Sequence, residues 1–263
     1  MFGRFGKPDN GIALAAAQCL WMGVVIGNLL PHCLECWESD SCLIPMVLLA
    51  LSAYAAMHSA ERASKVAAVL FGGVIFIVGG VLLAGSKYLR LSWVTPEIKR
   101  VNYELVPIFL LPCLMALPQG RRVGRDYAFV AVPGVLLPLW LAGALSPRVA
   151  AEVANPLYEY SKSVVLFGVA ERVESLVSCA MTASWFCVLA WMLSAASQFA
   201  EGSKIGFGRF GAWGCAAVAG IVYLCNLTVP GELTALGSLL FWVAIPLAAQ
   251  CFAYVKKVVK KSN

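Results

Sequence analysis

The sequence predicts an all-α polytopic membrane protein of about eight transmembrane helices with both termini cytoplasmic. Hydrophobic residues make up 60% of its 263 positions and charged residues only 13%, about half the charged share of a soluble domain. The apolar residues run in long blocks, and short loops between them hold nearly all the charge. The short alternating segments of a membrane barrel are not visible.

One helical membrane domain, 1–263, is expected, with spans at about 11–30, 43–58, 66–85, 103–118, 127–146, 173–199, 210–229 and 234–255. The N-terminal block resembles the core of a signal peptide, but no small-x-small cleavage site breaks it off cleanly, so it is read as the first span. Basic residues set the orientation. Arg4 and Lys7, Arg62 and Lys65, Arg121, Arg122 and Arg125, Lys204 and Arg209, and the tail Lys256, Lys257, Lys260 and Lys261 fall on one side of an eight-span chain. The opposite loop 31–42 carries Glu35, Glu38 and Asp40 and no Lys or Arg. Loop 86–102, with Lys87, Arg90, Lys99 and Arg100, dissents from this pattern. The net charge of +6 is scattered over loops and tail, which suits an anionic lipid leaflet and excludes nucleic acid as a partner.

Span one holds Gly23 and Gly27 in a small-xxx-small pattern that permits close helix approach. Gln18 and Asn28 are polar within it, Asn28 near enough to the end to act as a cap. The loop that follows places His32, Cys33, Cys36 and Cys42 within 11 residues. Those residues fit a zinc site, a disulfide with a spare thiol, or cysteines that remain reduced. No metal or cofactor is assigned; Cys33, Cys36 and Cys42 are the disulfide candidates. Span three carries Gly72-Gly73 and Gly79-Gly80 two turns apart, a flat seam expected to pack on a neighbour, with a local hinge as the alternative.

Span four opens with Tyr103-Glu104 and contains Pro107 and Pro112, which makes it the expected broken helix. Glu104 is placed either toward a substrate or ion or at the membrane interface. Span five has Pro133 and Pro138, expected kinks. Residues 147–170 form a long external connection in which Pro156 opens a short helix, on or in the outer surface, with the character of a lid or binding surface. Span six contains 26 uncharged residues, Ser175–Ala200, about 39 Å of helix against roughly 30 Å of hydrocarbon. At its head Glu171, Glu174, Ser178 and Thr182 share one face. This stripe faces the inside of a bundle or a watery cavity. Alternatively, the charges sit among headgroups and the hydroxyls bond to backbone four residues back. Span eight carries Pro246.

Residues 155–200 resemble the spore germination permeases, the transporter-like subunits of nutrient germinant receptors in the amino acid/polyamine/organocation superfamily. The resemblance lies in Pro156, Gly168, Glu171, Arg172 and Glu174 ahead of a long span, and in the small residues Ala195 and Ala196 near its end. It implies an inverted-repeat permease fold, here without its first two helices. The function implied is a permease-like subunit that senses or transports a small nutrient such as an amino acid. Tyr103, Glu104, Pro107, Pro112, Glu171, Arg172, Glu174, Ser178 and Thr182 would line its ligand vestibule. The partners implied are the lipid bilayer, a small polar nutrient and other germinant-receptor or spore membrane subunits. The location implied is the cell or spore inner membrane. The alternative is a non-transporting membrane scaffold or assembly subunit. An enzyme is not expected: the sequence has neither HExxH nor Gly-x-Ser-x-Gly, and its two histidines, His32 and His58, lie at span ends.

Overall fold

Residues 12–35, 37, 41–58, 60–93, 106–108, 110, 123–153, 155–164, 173–202, 208–245 and 247–248 are described by the computed structural model. Those residues build an all-α fold. Its helices are α1 (Ile12–Leu29), α2 (Leu43–His58), α3 (Ala60–Ala84), α4 (Val123–Leu145), α5 (Pro147–Glu152), α6 (Pro156–Ser163), α7 (Glu174–Gly202), α8 (Gly208–Leu224) and α9 (Gly231–Leu239). A 3₁₀ turn, Leu30–Leu34, extends α1, and a π turn, Leu240–Ala244, extends α9. Two stretches, Leu14–Leu34 and Glu174–Glu201, are long and apolar enough to cross a membrane; the other apolar helices among the described residues are shorter. As helices, α2 covers the residues of the expected second span and α7 nearly those of the sixth, while α3 begins before the expected third, at Ala60, and α8 stops within the expected seventh, at Leu224. Of the fourth, only 106–108 and 110 are described, and they are helical.

Local sequence sets these ends. Asn155 accepts a hydrogen bond from the Tyr158 N–H at 3.1 Å and Pro156 fills the first helical position, so α6 starts where a cap and a proline both favour it. Asn226, at φ 50°, closes α8: its N–H reaches Tyr223 O at 3.1 Å and the Leu227 N–H reaches Val222 O at 2.9 Å, the paired bonds of a left-handed helix stop. Helix α4 continues through Pro133 and Pro138 rather than ending at either.

The central element is α7, which touches α1, α2, α3, α6, α8 and the 3₁₀ turn. It runs antiparallel to α1, since Cys19 bonds to Ala196 O near one end and His32 stacks on Trp185 toward the other. Two cores flank it. The first joins α1, α2, the middle of α7, α8 and Trp242 of the π turn. The second joins Val81 of α3, Leu141 of α4, Leu157 and Tyr160 of α6, Val164, and Val173 and Val177 at the head of α7.

The first core is drawn together by Gly23 and Gly27. A β-carbon on Gly23 would lie 2.7 Å from Val218 and 2.9 Å from Cys215 O; on Gly27, 2.6 Å from Val222 and 2.9 Å from Ala219 O. Only glycine lets α1 and α8 approach this closely. Between apolar surfaces in lipid, such packing, rather than removal of water, holds helices together. The glycines of α3 differ from expectation: nothing lies within 4 Å of where a β-carbon on Gly72, Gly73, Gly79 or Gly80 would stand. Their seam is open among the described residues, and Val69 and Phe76 beside it are 77% and 82% exposed.

Gln18, fully buried, donates to Phe241 O at 3.0 Å. In the widened register of the π turn, that carbonyl would look to the N–H of residue 246, and residue 246 is a proline with none to give. A side chain from α1 thus supplies the donor that the last helix lacks. Asn28 does not act as a helix cap: its oxygen accepts from the Val229 N–H at 3.0 Å, pinning the α8–α9 turn to the end of α1, and its amide donates to Val24 O at 2.9 Å.

Candidate functional site

The head of α7 is where residues singled out by sequence meet. Val173 is buried and Glu174, the first helical residue, is partly exposed. The Ser178 hydroxyl donates to Glu174 O at 3.0 Å and the Thr182 hydroxyl to Ser178 O at 2.8 Å. The stripe's hydroxyls therefore do bond to backbone four residues back. Thr182 does more: its oxygen accepts from the Trp37 indole N–H at 3.0 Å.

That bond belongs to a docked loop. After α1, the 3₁₀ turn Leu30–Leu34 folds back beside α2, and the Trp37 N–H closes on Leu34 O at 2.9 Å. His32 lies flat over Trp185, ring centroids 6.4 Å apart at 10°, and its Nδ1 meets Glu35 Oε1 at 2.5 Å. Trp185 and Thr182 stand three residues apart, so they share a face of α7 and both receive the loop. Deeper in, Ser52 of α2, fully buried, donates to Phe186 O at 3.4 Å. Cys19, Trp37 and Ser52 each reach the central helix by a hydrogen bond from a distant part of the chain.

The arrangement offers a partly exposed carboxylate–imidazole pair, an exposed indole and a hydroxyl at one end of the bundle. These are hydrogen-bonding and stacking groups suited to recognising a small polar molecule. Among the described residues, no cluster of three His, Cys, Asp or Glu is placed to hold a metal ion. Cys33 is buried and Cys42 exposed.

Pro107 is buried, and its neighbours Ile108 and Leu110 pack against the first core, whereas Glu174 begins α7 beside the second. Tyr103, Glu104, Pro112, Glu171, Arg172 and Cys36 lie outside the described residues. A groove of about 490 Å³ opens elsewhere, between α1 and α9, lined by Trp21, Val229, Leu233, Leu236, Gly237 and Leu240. It is apolar throughout and lies away from the polar head of α7.

The described part of the 147–170 connection is built into the fold. Leu157, Tyr158 and Tyr160 of α6 are buried, and the Asn155 amide reaches Met181 Sδ at 3.2 Å. Burial pushes the Tyr160 phenol above its usual value; the nearby Trp140 indole pulls it back in part, and Tyr88 adds to the rise. Residues 86–93 of the dissenting basic loop are folded too. Lys87 and Arg90 lie over the rings of Tyr88 and Trp93 at 4.9 and 4.5 Å, and the Arg90 N–H reaches Gly143 O at 2.9 Å.

Sequence reasoning missed His32, Glu35, Trp37 and Trp185 as one group. Its available signal was Trp37, a tryptophan in the loop between two apolar blocks, where aromatic rings gather at a membrane surface; Trp185, well inside its block, gave none. No protein-family model, curated protein or solved structure gives a significant match to the chain.

Proposed function

We propose that the chain is a permease-like membrane subunit that senses or moves a small polar nutrient such as an amino acid, related to the spore germination permeases. The observation that carries this reading is the polar head of α7, Glu174, Ser178 and Thr182, set on the most connected helix and met there by the 30–37 loop. A helix facing only lipid has no use for such a head or for a loop folded onto it. In this reading Glu104 and Arg172 join the same vestibule, and the proline-rich fourth span supplies backbone groups for the ligand.

The test is binding of L-amino acids to the purified full-length protein, wild type against Glu104→Ala and Arg172→Ala. Loss of one charge-assisted contact should weaken binding roughly tenfold with unfolding temperatures unchanged. Equal affinity in both variants would sink the vestibule.

A second reading, a non-transporting scaffold, draws on the open face of α3, where Val69, Phe76 and Leu83 are exposed beside glycines that nothing among the described residues covers. It also draws on the apolar character of the one groove described above. No amino acid bound by the wild type, together with co-purification of a second membrane protein lost on Phe76→Lys, would favour it.

A further inference from the structure

Four basic side chains stand around the second core, and they divide into two kinds. Arg148 pairs with Glu152 and Lys162 with Glu159, each at 3.0 Å. Lys87 and Arg90, both exposed, meet no carboxylate among the described residues. Each lies over an aromatic ring instead, Lys87 over Tyr88 and Arg90 over Trp93. A ring beneath a cation steadies it and leaves its N–H donors to face outward.

The backbone that carries this pair is braced. Helix α3 ends as the Gly85 N–H closes on Val81 O at 3.0 Å, and a 3₁₀ turn, Ser86–Tyr88, follows. A β-carbon on Gly85 would lie 2.6 Å from Tyr160 Cζ, so the chain passes over buried Tyr160 only as glycine. The Arg90 N–H then bonds to Gly143 O and the Trp93 N–H to Arg90 O, both at 2.9 Å, which ties the turn to the end of α4. Tyr88 and Trp93 are rings of the kind that collect at the headgroup layer.

An uncovered apolar surface leads up to these cations. Val69, Phe76 and Leu83 recur every seven residues, about two turns, so they share one face of α3. All three are exposed. From Val69 to Leu83 the face measures about 21 Å, against roughly 15 Å for the hydrocarbon of one leaflet. Leu83 stands four residues before Lys87. An apolar strip of that length, ending at two cations without carboxylates, complements a phospholipid with an anionic headgroup in both shape and charge.

We propose that Lys87 and Arg90 hold the phosphate of an anionic phospholipid, one acyl chain of which lies along the Val69, Phe76 and Leu83 face of α3. The occupant is a lipid of the surrounding bilayer rather than free phosphate, because the cations alone would leave the apolar face unused. The inference rests on the membrane character of the chain and is independent of the permease reading.

The test is native mass spectrometry of the full-length protein in detergent, offered equimolar phosphatidylglycerol and phosphatidylcholine with matched chains. Wild type should retain phosphatidylglycerol in preference. Lys87→Gln and Arg90→Gln should each lower that preference about fivefold, the scale of one basic residue's attraction to an anionic lipid surface. Arg148→Gln removes an equal charge that already has a carboxylate partner, and should leave the preference unchanged. Equal retention of the two lipids by wild type, or an equal loss in all three variants, would overturn the headgroup site. In nanodiscs, phosphatidylglycerol with a diazirine in one acyl chain should cross-link to α3 between Val69 and Leu83. Labelling that spares α3, or displacement of the lipid by inorganic phosphate at the same concentration, would overturn the acyl seat.

Discussion

Two helices carry glycine pairs that look alike as sequence and behave in opposite ways. In α1, Gly23 and Gly27 meet the side chains of Val218 and Val222 and the carbonyls of Cys215 and Ala219, all closer than a real β-carbon would tolerate. In α3, Gly72, Gly73, Gly79 and Gly80 meet nothing among the described residues. The first pair lies in a core that joins four helices; the second lies on a face flanked by exposed Val69 and Phe76. A small-residue pattern states that a close approach is permitted. Whether a partner arrives depends on where the rest of the chain goes. The halves also differ in polar support: the tight one is tied across helices by Gln18, Cys19, Asn28 and Ser52, and the other is closed by α6 lying over its end.

The contrast can be broken experimentally. The largest expected effect is that of Gly27→Leu, which forces a side chain into Val222 and the Ala219 carbonyl. Thermal unfolding in detergent should show a loss on the order of 3 kcal/mol. Next comes Gln18→Leu, which leaves Phe241 O buried without its donor and should cost about 1–3 kcal/mol. In the same background Pro246→Ala, which returns an N–H to position 246, should recover part of that loss. Strict additivity of the two changes would refute the account of the π turn.

In the looser half the lever is pH. Tyr160 is held neutral by burial, so its folded pKa lies above the ordinary phenol value of 10.0. Its contribution is complete below pH 10.0. As pH rises further the unfolded chain ionises first, and the contribution is lost as pH passes through the folded pKa. Wild type should lose stability between neutral and strongly alkaline pH more steeply than Tyr160→Phe; parallel curves would remove α6 as a buried brace. Smaller still, Trp37→Phe removes the bond to Thr182 and should cost about 0.5–1 kcal/mol, with faster amide exchange in the 30–37 loop. Smallest is Gly73→Leu, expected within roughly 0.5 kcal/mol of wild type. A cost there equal to that at Gly27 would erase the distinction between the two seams.

Much of this could be read from the residues. Helix α2 was legible to its ends because Cys42 and His58 bracket an unbroken apolar block, and α6 because Asn155 and Pro156 announce its start. Helix α7 stood out as the organising element by length alone. The start of α3 was not legible, because Glu61, Arg62 and Lys65 read as a loop when they belong to the first turns of the helix. Nor was the π turn, since no residue type marks it before Pro246 is set against Gln18. The site was half visible: Glu174, Ser178 and Thr182 share a face by spacing, but the loop that meets them comes from about 145 residues earlier.

Composition and periodicity by themselves determined that the chain is helical, which blocks are apolar enough to be buried or to sit in lipid, and where caps and prolines start and stop helices. These are local quantities, fixed by side-chain transfer energies and backbone geometry within a few turns. Tertiary structure alone decided which glycine seam is filled, that Gln18 serves a carbonyl at Phe241, and that His32 and Trp37 cover Trp185 and Thr182. Each of those depends on two distant segments arriving at one place. Between apolar surfaces many pairings are nearly equal in energy, and the choice falls to close packing and to the few buried polar groups that must find a partner.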